Sequence, residues 1–492
     1  MSSQIMPEPF TFGVELEFCL EHLREGQAIP PAETKIVMFP VLEDESNYHP
    51  RFAAQERVIR HISQTIADEG SFSIDPMHPR RSNFNQWEVT YDISIKSPYT
   101  QHAIGSEDSG NEADSEGTNS EYSEAPSKLS RTASEIEQDR AGDPYTYQGI
   151  EVVSPALHFC DESLREVEKM CALLMNTYRI SNNRTTGLHV HLGHGPNGYK
   201  LTDLKSIMAF LYTFEPQISS LHPKHRFNNG YSQSLRWNSR GTLNLQEKYN
   251  RLPHASDFAL SILGCKTRKM CVKLGSPRGF GRYSHYNIQG ESEDKLQMDM
   301  RDTKRTIEFR QHNGTMDGEE ITMWVRTLVG ILTFVESGNP LALTDLMAYA
   351  WRAEKWEKVE DESENQRTKE IGSTFADEEF TIIDLCEYLG LAEQAAYYKD
   401  RWHKHKTKRK PAKLGSDTKW TSKKILKTGG EADKLNKMLI DSFIDLRLIN
   451  RGERKAGLQE TSFDFSTFPA YRISNDPKFD SDNEADSHDE GM

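Results

Sequence analysis

The stretch Phe10-Thr-Phe-Gly-Val-Glu-Leu-Glu-Phe-Cys-Leu20 limits the fold more than any other part of the chain. Phe10, Phe12, Val14, Leu16, Phe18 and Leu20 take every second position, the period of a β-strand with one face in a core. The opposite face carries Glu15 and Glu17, with Gly13 leaving room beside them. Two carboxylates about 6–7 Å apart on one strand repel each other unless a cation lies near. An ordinary solvated face is the plain alternative, and such faces usually mix Lys, Thr and Glu.

Four more segments repeat the design. Glu88–Ser94 sets Trp87, Val89, Tyr91 and Ile93 against Glu88, Thr90, Asp92 and Ser94. Gly149–Ser154 sets Glu151 against Ile150 and Val152, and Gly187–Gly193 sets His189 and His191 against Leu188, Val190 and Leu192. Arg305–His312 sets Glu308, Arg310 and His312 against Ile307 and Phe309. Five strands with an apolar face and a face of acids, histidines and arginine predict a sheet whose polar side is a reaction surface. Taken singly, His-x-His is more often a packed pair, and Arg310 beside Glu308 an ion pair worth little at a surface.

Composition sets outer limits. The net charge of −15 over 492 residues gives no general attraction to nucleic acid. A hydrophobic share of 36 % fits a globular core diluted by disordered segments. The six cysteines show no zinc-type spacing, and no apolar run reaches membrane-spanning length. An intracellular, reducing compartment is expected, the cytoplasm or the nucleus, with no membrane partner.

In order, the sequence predicts a short strand at Lys35–Val41 and a helix over Arg51–Glu69 stopped by Gly70. A helix from Asp161, read as its cap, runs to about Ile180, and another from Thr202 or Asp203 runs to Leu221. His222–Arg251 reads as an Arg-, Asn- and Gly-rich loop and Tyr283–Gln289 as a strand, followed by helices over Gly318–Glu336 and Phe380–Tyr398. Glu107–Glu124 is Ser, Gly, Asn and acid and is expected to be disordered. The expected organisation is a catalytic domain at 1–98 and 146–350 interrupted by an acidic insertion at 99–145. A charged helical region follows at 351–455, including the basic Lys404–Lys427 stretch, then an acidic tail at 456–492.

Together, Phe12-Gly-Val-Glu-Leu-Glu17, Gly187-Leu-His-Val-His-Leu-Gly193 and Thr306-Ile-Glu-Phe-Arg-Gln-His-Asn-Gly-Thr315 resemble the amidoligase family. That family is a branch of the carboxylate–amine ligase superfamily that includes glutamine synthetase. The resemblance runs from Phe10 to about Ser337. It implies an α+β fold with a curved, mainly antiparallel sheet, helices on one face and a metal and ATP site on the other. By position it implies Glu15, Glu17, Glu151, His189 and Glu308 as metal ligands, and His191 and Arg310 as catalytic and nucleotide-binding groups. Asp92, Asn287 and His312 are substrate-side candidates.

The implied reaction is ATP-dependent joining of a carboxylate to an amine through an acyl phosphate. Both the carboxylate and the γ-phosphate are anionic, so metal ions and an arginine must neutralise charge. Carboxylate ligands suit Mg²⁺ or Mn²⁺, and the histidine tilts one site toward Mn²⁺. The substrates would be small-molecule or peptide carboxylates and amines. A metal-dependent hydrolase and a non-catalytic binding module are the alternatives. A hydrolytic barrel needs repeated βα units and more histidines, and a dead site has no need to keep like charges together.

Overall fold

The computed structural model describes residues 10–405 apart from 24–25, 43–49, 77–83, 99–142, 196, 227–228, 250–252, 279–280, 293–303, 338–339 and 354–379. The acidic insertion at 99–142, most of Trp351–Glu370, the basic stretch beyond His405 and the acidic tail lie outside the described residues.

The elements run β1 (Thr11–Leu23), α1 (Pro50–Glu69), β2 (Glu88–Tyr91), β3 (Tyr145–Val153), β4 (Leu157–His158), α2 (Asp161–Thr177), β5 (Ile180–Ser181) and β6 (Gly187–Gly193). They continue α3 (Leu201–Ser219), α4 (Leu235–Asn238), α5 (Arg240–Tyr249), α6 (Ala255–Leu263), α7 (Arg268–Gly275), β7 (Tyr286–Asn287) and β8 (Thr306–Asn313). The last are α8 (Gly318–Ser337), α9 (Pro340–Ala353), α10 (Ile382–Tyr388) and α11 (Ala392–His405). This is a mixed α and β protein with antiparallel pairing at β1–β3, β1–β5, β2–β3 and β7–β8. Among the described residues no helix is long and apolar enough to cross a membrane. Among the described residues the chain forms two compact units; the first holds Phe12–Val190 and His312–Thr322, the second Phe10, Thr11, His191–Gln311 and the described residues from Met323 to His405.

In the first unit the strand order is β2-β3-β1-β6, with β4 and β5 beside β1. Register aligns Glu17 with Glu151 and Glu151 with Thr90, while Leu16, Val152 and Val89 form the matching apolar row. Those three are at most 1 % exposed, so the apolar parity of the sequence is the core face. Gly70, at φ +80°, ends α1 as expected. Gly149 has a different reason: a Cβ there would lie 2.4 Å from the Asp92 carbonyl oxygen, so only glycine admits the turn against β3.

Several expectations are corrected here. β2 stops at Tyr91, where the Asp92 carboxylate accepts the Ser94 N–H at 2.7 Å and turns the chain. Ile93 is therefore 76 % exposed rather than inward. Cys160, not Asp161, stands at the N-cap position of α2 and makes no side-chain capping bond, and the strand at Lys35–Val41 reduces to one bridge between Ile36 and Tyr178. The polar face is covered rather than open, with Glu17 6 % exposed and β6 buried along its whole length.

In the second unit the order is β6-β8-β7, with Asn287 opposite Glu308. Helix α3 is buried at every position from Asp203 to Ser219, its polar Lys205, Glu215 and Gln217 included. Tyr212 stacks on Phe258 at 3.9 Å, and Trp351 donates its indole N–H to the Thr213 hydroxyl at 3.0 Å. The expected loop His222–Arg251 contains α4 and α5 instead. Its organiser is Glu215 on α3, which accepts the Ser234 hydroxyl and the Leu235 and Arg236 N–H groups at 2.7–2.8 Å. His285 Nδ1 lies 2.8 Å from the same carboxylate. Burial alone would push the Glu215 carboxyl up, but His285 and these donors hold it below its ordinary value. The strand expected over Tyr283–Gln289 is only Tyr286–Asn287, flanked by single 3₁₀ turns. Helix α8 forms where its apolar stripe requires, while Gly390, at φ +78°, divides the expected Phe380–Tyr398 helix into α10 and α11.

Glu291, fully buried below Gly198, pairs with Arg268 at 3.2 Å. Burial pushes its carboxyl from 4.5 up to about 7 despite the Arg268 charge. A raised folded-state value means a stability contribution present below about 4.5 and lost as pH rises through about 7. The loss amounts to about 3 kcal/mol, and Glu291→Gln is expected to flatten it. Thermal melts of both proteins from pH 5 to 8 check this; parallel pH profiles would remove Glu291 as the source.

Candidate metal centre and active site

Strands β1 and β6 of the first unit set the His189 ring between two carboxylates. Its Nδ1 is 3.1 Å from Glu15 Oε2 and its Nε2 is 3.5 Å from Glu17 Oε1. Glu17 Oε2 accepts the Gly187 N–H at 2.7 Å. Strand β3 adds Glu151, the direct cross-strand partner of Glu17. Glu15, Glu151 and His189 each offer a ligand atom, all within 4.8 Å of one another. Burial, then the charges of Glu15, Glu17 and Asp92, then a hydrogen bond with Glu15 all push the Glu151 carboxyl well above the ordinary range. A divalent cation offsets this same repulsion, so the residues fit one. Two carboxylates and an imidazole suit Mn²⁺ or Mg²⁺.

In the second unit His191 Nδ1 is 2.9 Å from the Thr306 hydroxyl, and its Nε2 is 3.5 Å from the Lys304 ammonium. Glu308, 5 % exposed, accepts the Asn287 side-chain N–H at 2.7 Å and pairs with the Arg310 guanidinium through its other oxygen. Arg310 Nε donates to the Tyr231 carbonyl at 3.2 Å, and its guanidinium lies 5.9 Å from the Tyr283 ring centre. Arg226 and Ser232 hold the Arg310 carbonyl at 2.5 and 3.0 Å. The result is a cation fixed by its side chain and its backbone alike.

Within each unit the expected residues form a gathering. Glu15, Glu17, Glu151 and His189 meet in the first unit, with the Asp92 charge alongside. Glu308, Arg310 and Asn287 meet in the second, which also contains His191. His312 belongs to the first unit, its Nδ1 2.7 Å from the Asn313 carbonyl and its Nε2 3.8 Å from Glu320. Lys304 and Thr306 were missed, although their parity matches Glu308 and Arg310 and extending the alternation backward would have found them. Tyr231 comes from a segment with no period to read, and Tyr283 opens the segment read as a strand.

No curated protein and no solved structure matches the chain. A family model described as "Putative amidoligase enzyme" matches residues 8–332, a span that contains every residue of both gatherings. On that match the chain belongs to the putative amidoligase enzyme family.

Proposed function

We propose that the protein is an ATP-dependent carboxylate–amine ligase, which forms an amide or peptide bond through an acyl phosphate with Mg²⁺ or Mn²⁺. The observation that carries this reading is the buried Glu15–Glu151–His189 set, inside the span matched by the amidoligase family. In this reading the first unit holds a divalent cation through those three side chains, and Glu308 is a metal ligand of the second unit. Bound metal would neutralise phosphate charge. Arg310 donates hydrogen bonds to the transferring phosphoryl group, and His191 with Lys304 favours the anionic nucleotide. Asn287 fixes the Glu308 carboxylate, and Asp92 serves the substrate side, where a small-molecule or peptide carboxylate meets an amine. A glutamine synthetase-like sheet is the fold this reading implies.

The test is ADP formation from Mg²⁺–ATP and Mn²⁺–ATP across panels of carboxylates and amines. ADP released only when both substrates are present supports the ligase. Amide cleavage without nucleotide would favour a hydrolase, and a protein that binds neither metal–ATP complex is no ligase.

A further inference from the structure

We propose that the turn Asn229–Ser232 positions Arg310, and that Asn229 is the positioning residue that sets the turn. The inference rests on the role given to Arg310 in the proposed function. Two groups of this turn grip the arginine. The Tyr231 carbonyl accepts its Nε–H at 3.2 Å, and the Ser232 hydroxyl donates to its carbonyl at 3.0 Å. Tyr231 is 47 % exposed, so burial does not fix where that carbonyl points. The Asn229 side chain aims it instead. Its Oδ1 accepts the Tyr231 and Ser232 N–H groups, both at 2.9 Å, and the Asn229 and Ser232 backbones exchange two hydrogen bonds at 3.2 Å. An Asn side chain that bonds the backbone two residues on shapes the chain as a backbone turn would. Its Nδ2 donates to the His225 carbonyl at 3.0 Å, next to Arg226, the other donor on the Arg310 carbonyl. One amide thus joins both grips on the arginine.

An arginine side chain left to itself samples many rotamers, and aiming it before the reaction takes that entropy out of the barrier. A purely structural turn would cost stability when cut and leave Arg310 where it is. A positioning turn loses its effect on rate once the guanidinium is gone.

The experiment uses the full chain with ¹⁵N-labelled arginine, the Arg310 Nε–H signal being assigned by its loss in Arg310→Ala. Hydrogen exchange of that group is followed in wild type and Asn229→Ala, and ADP formation from Mg²⁺–ATP is measured with the substrate pair that the panels identify. Expected are a protected Nε–H in wild type, loss of that protection in Asn229→Ala, and kcat lowered about 10–100-fold with KM for ATP little changed. Asn229→Ser, whose hydroxyl makes the same turn more weakly, should recover part of both. In the Arg310→Ala background, Asn229→Ala should cost less than about 2-fold. Equal Nε–H exchange in wild type and Asn229→Ala overturns the proposal, and so does an equal rate loss from Asn229→Ala with and without Arg310. Should Asn229→Ala fail to fold, Ser232→Ala, which spares the Asn229 side-chain bonds, takes its place under the same two criteria. Wild type that forms no ADP refutes the ligase reading, while the exchange comparison still decides whether the turn holds Arg310.

Discussion

Replacing Arg310 by alanine is expected to lower ADP formation by roughly 10²–10³-fold, the usual cost of removing one preorganised stabiliser of transition-state charge. The guanidinium is already held by Glu308, the Tyr231 carbonyl and the contacts on its own backbone, so little reorganisation is left for the reaction. Mn²⁺ binding by Glu15, Glu151 and His189 should survive in large part, because the substitution removes none of these three ligands. Arg310→Lys should recover only part of the rate, since a point charge cannot reproduce the planar fork. Single-turnover ADP formation and Mn²⁺ titration on the same three proteins give the comparison. Wild-type turnover in Arg310→Ala would remove the arginine from the mechanism and leave the fold untouched.

Glu215→Ala should be the most damaging single change to stability, by about 3–5 kcal/mol. The carboxylate is fully enclosed and answers the Ser234 hydroxyl, the Leu235 and Arg236 N–H groups and His285. Truncation strands all four in a dry interior and leaves helix α4 without the acceptor at its first turn. Because the folded-state value of Glu215 is depressed, its contribution is present above the ordinary 4.5 and is lost as pH falls through that lower value. Urea melts at pH 7 measure the first effect. A shallower acid-unfolding limb in Glu215→Gln measures the second, and a loss below 1 kcal/mol in Glu215→Ala would show that the network is not cooperative.

Parity was the most readable property of the chain. It placed Leu16, Val152, Val89, Ile307 and Phe309 in the core and their polar neighbours on the opposite face, because a strand leaves side chains no third option. Helical stripes served equally well in α2 and α8, where packing simply follows the 3.6-residue period. The failures share a cause. Helix α4 depends on a carboxylate twenty residues away, β2 ends where Asp92 bonds its own turn, and Glu17 is fixed by a backbone N–H that has no signature in sequence. His312 shares the parity of Glu308, yet its ring bonds to Asn313 and lies near Glu320, local groups that alternation does not weigh.

Strand β6 also sets how this chain can change in length. It is buried throughout, with His189 and His191 on one side and Leu188, Val190 and Leu192 on the other. Inserting or deleting one residue inside Gly187–Gly193 exchanges those sides from that point on. Two imidazoles would then enter the apolar core and aliphatic groups would replace them beside Glu15 and Thr306. Any working variant of the protein must therefore carry its insertions outside this seven-residue span, or change it two residues at a time.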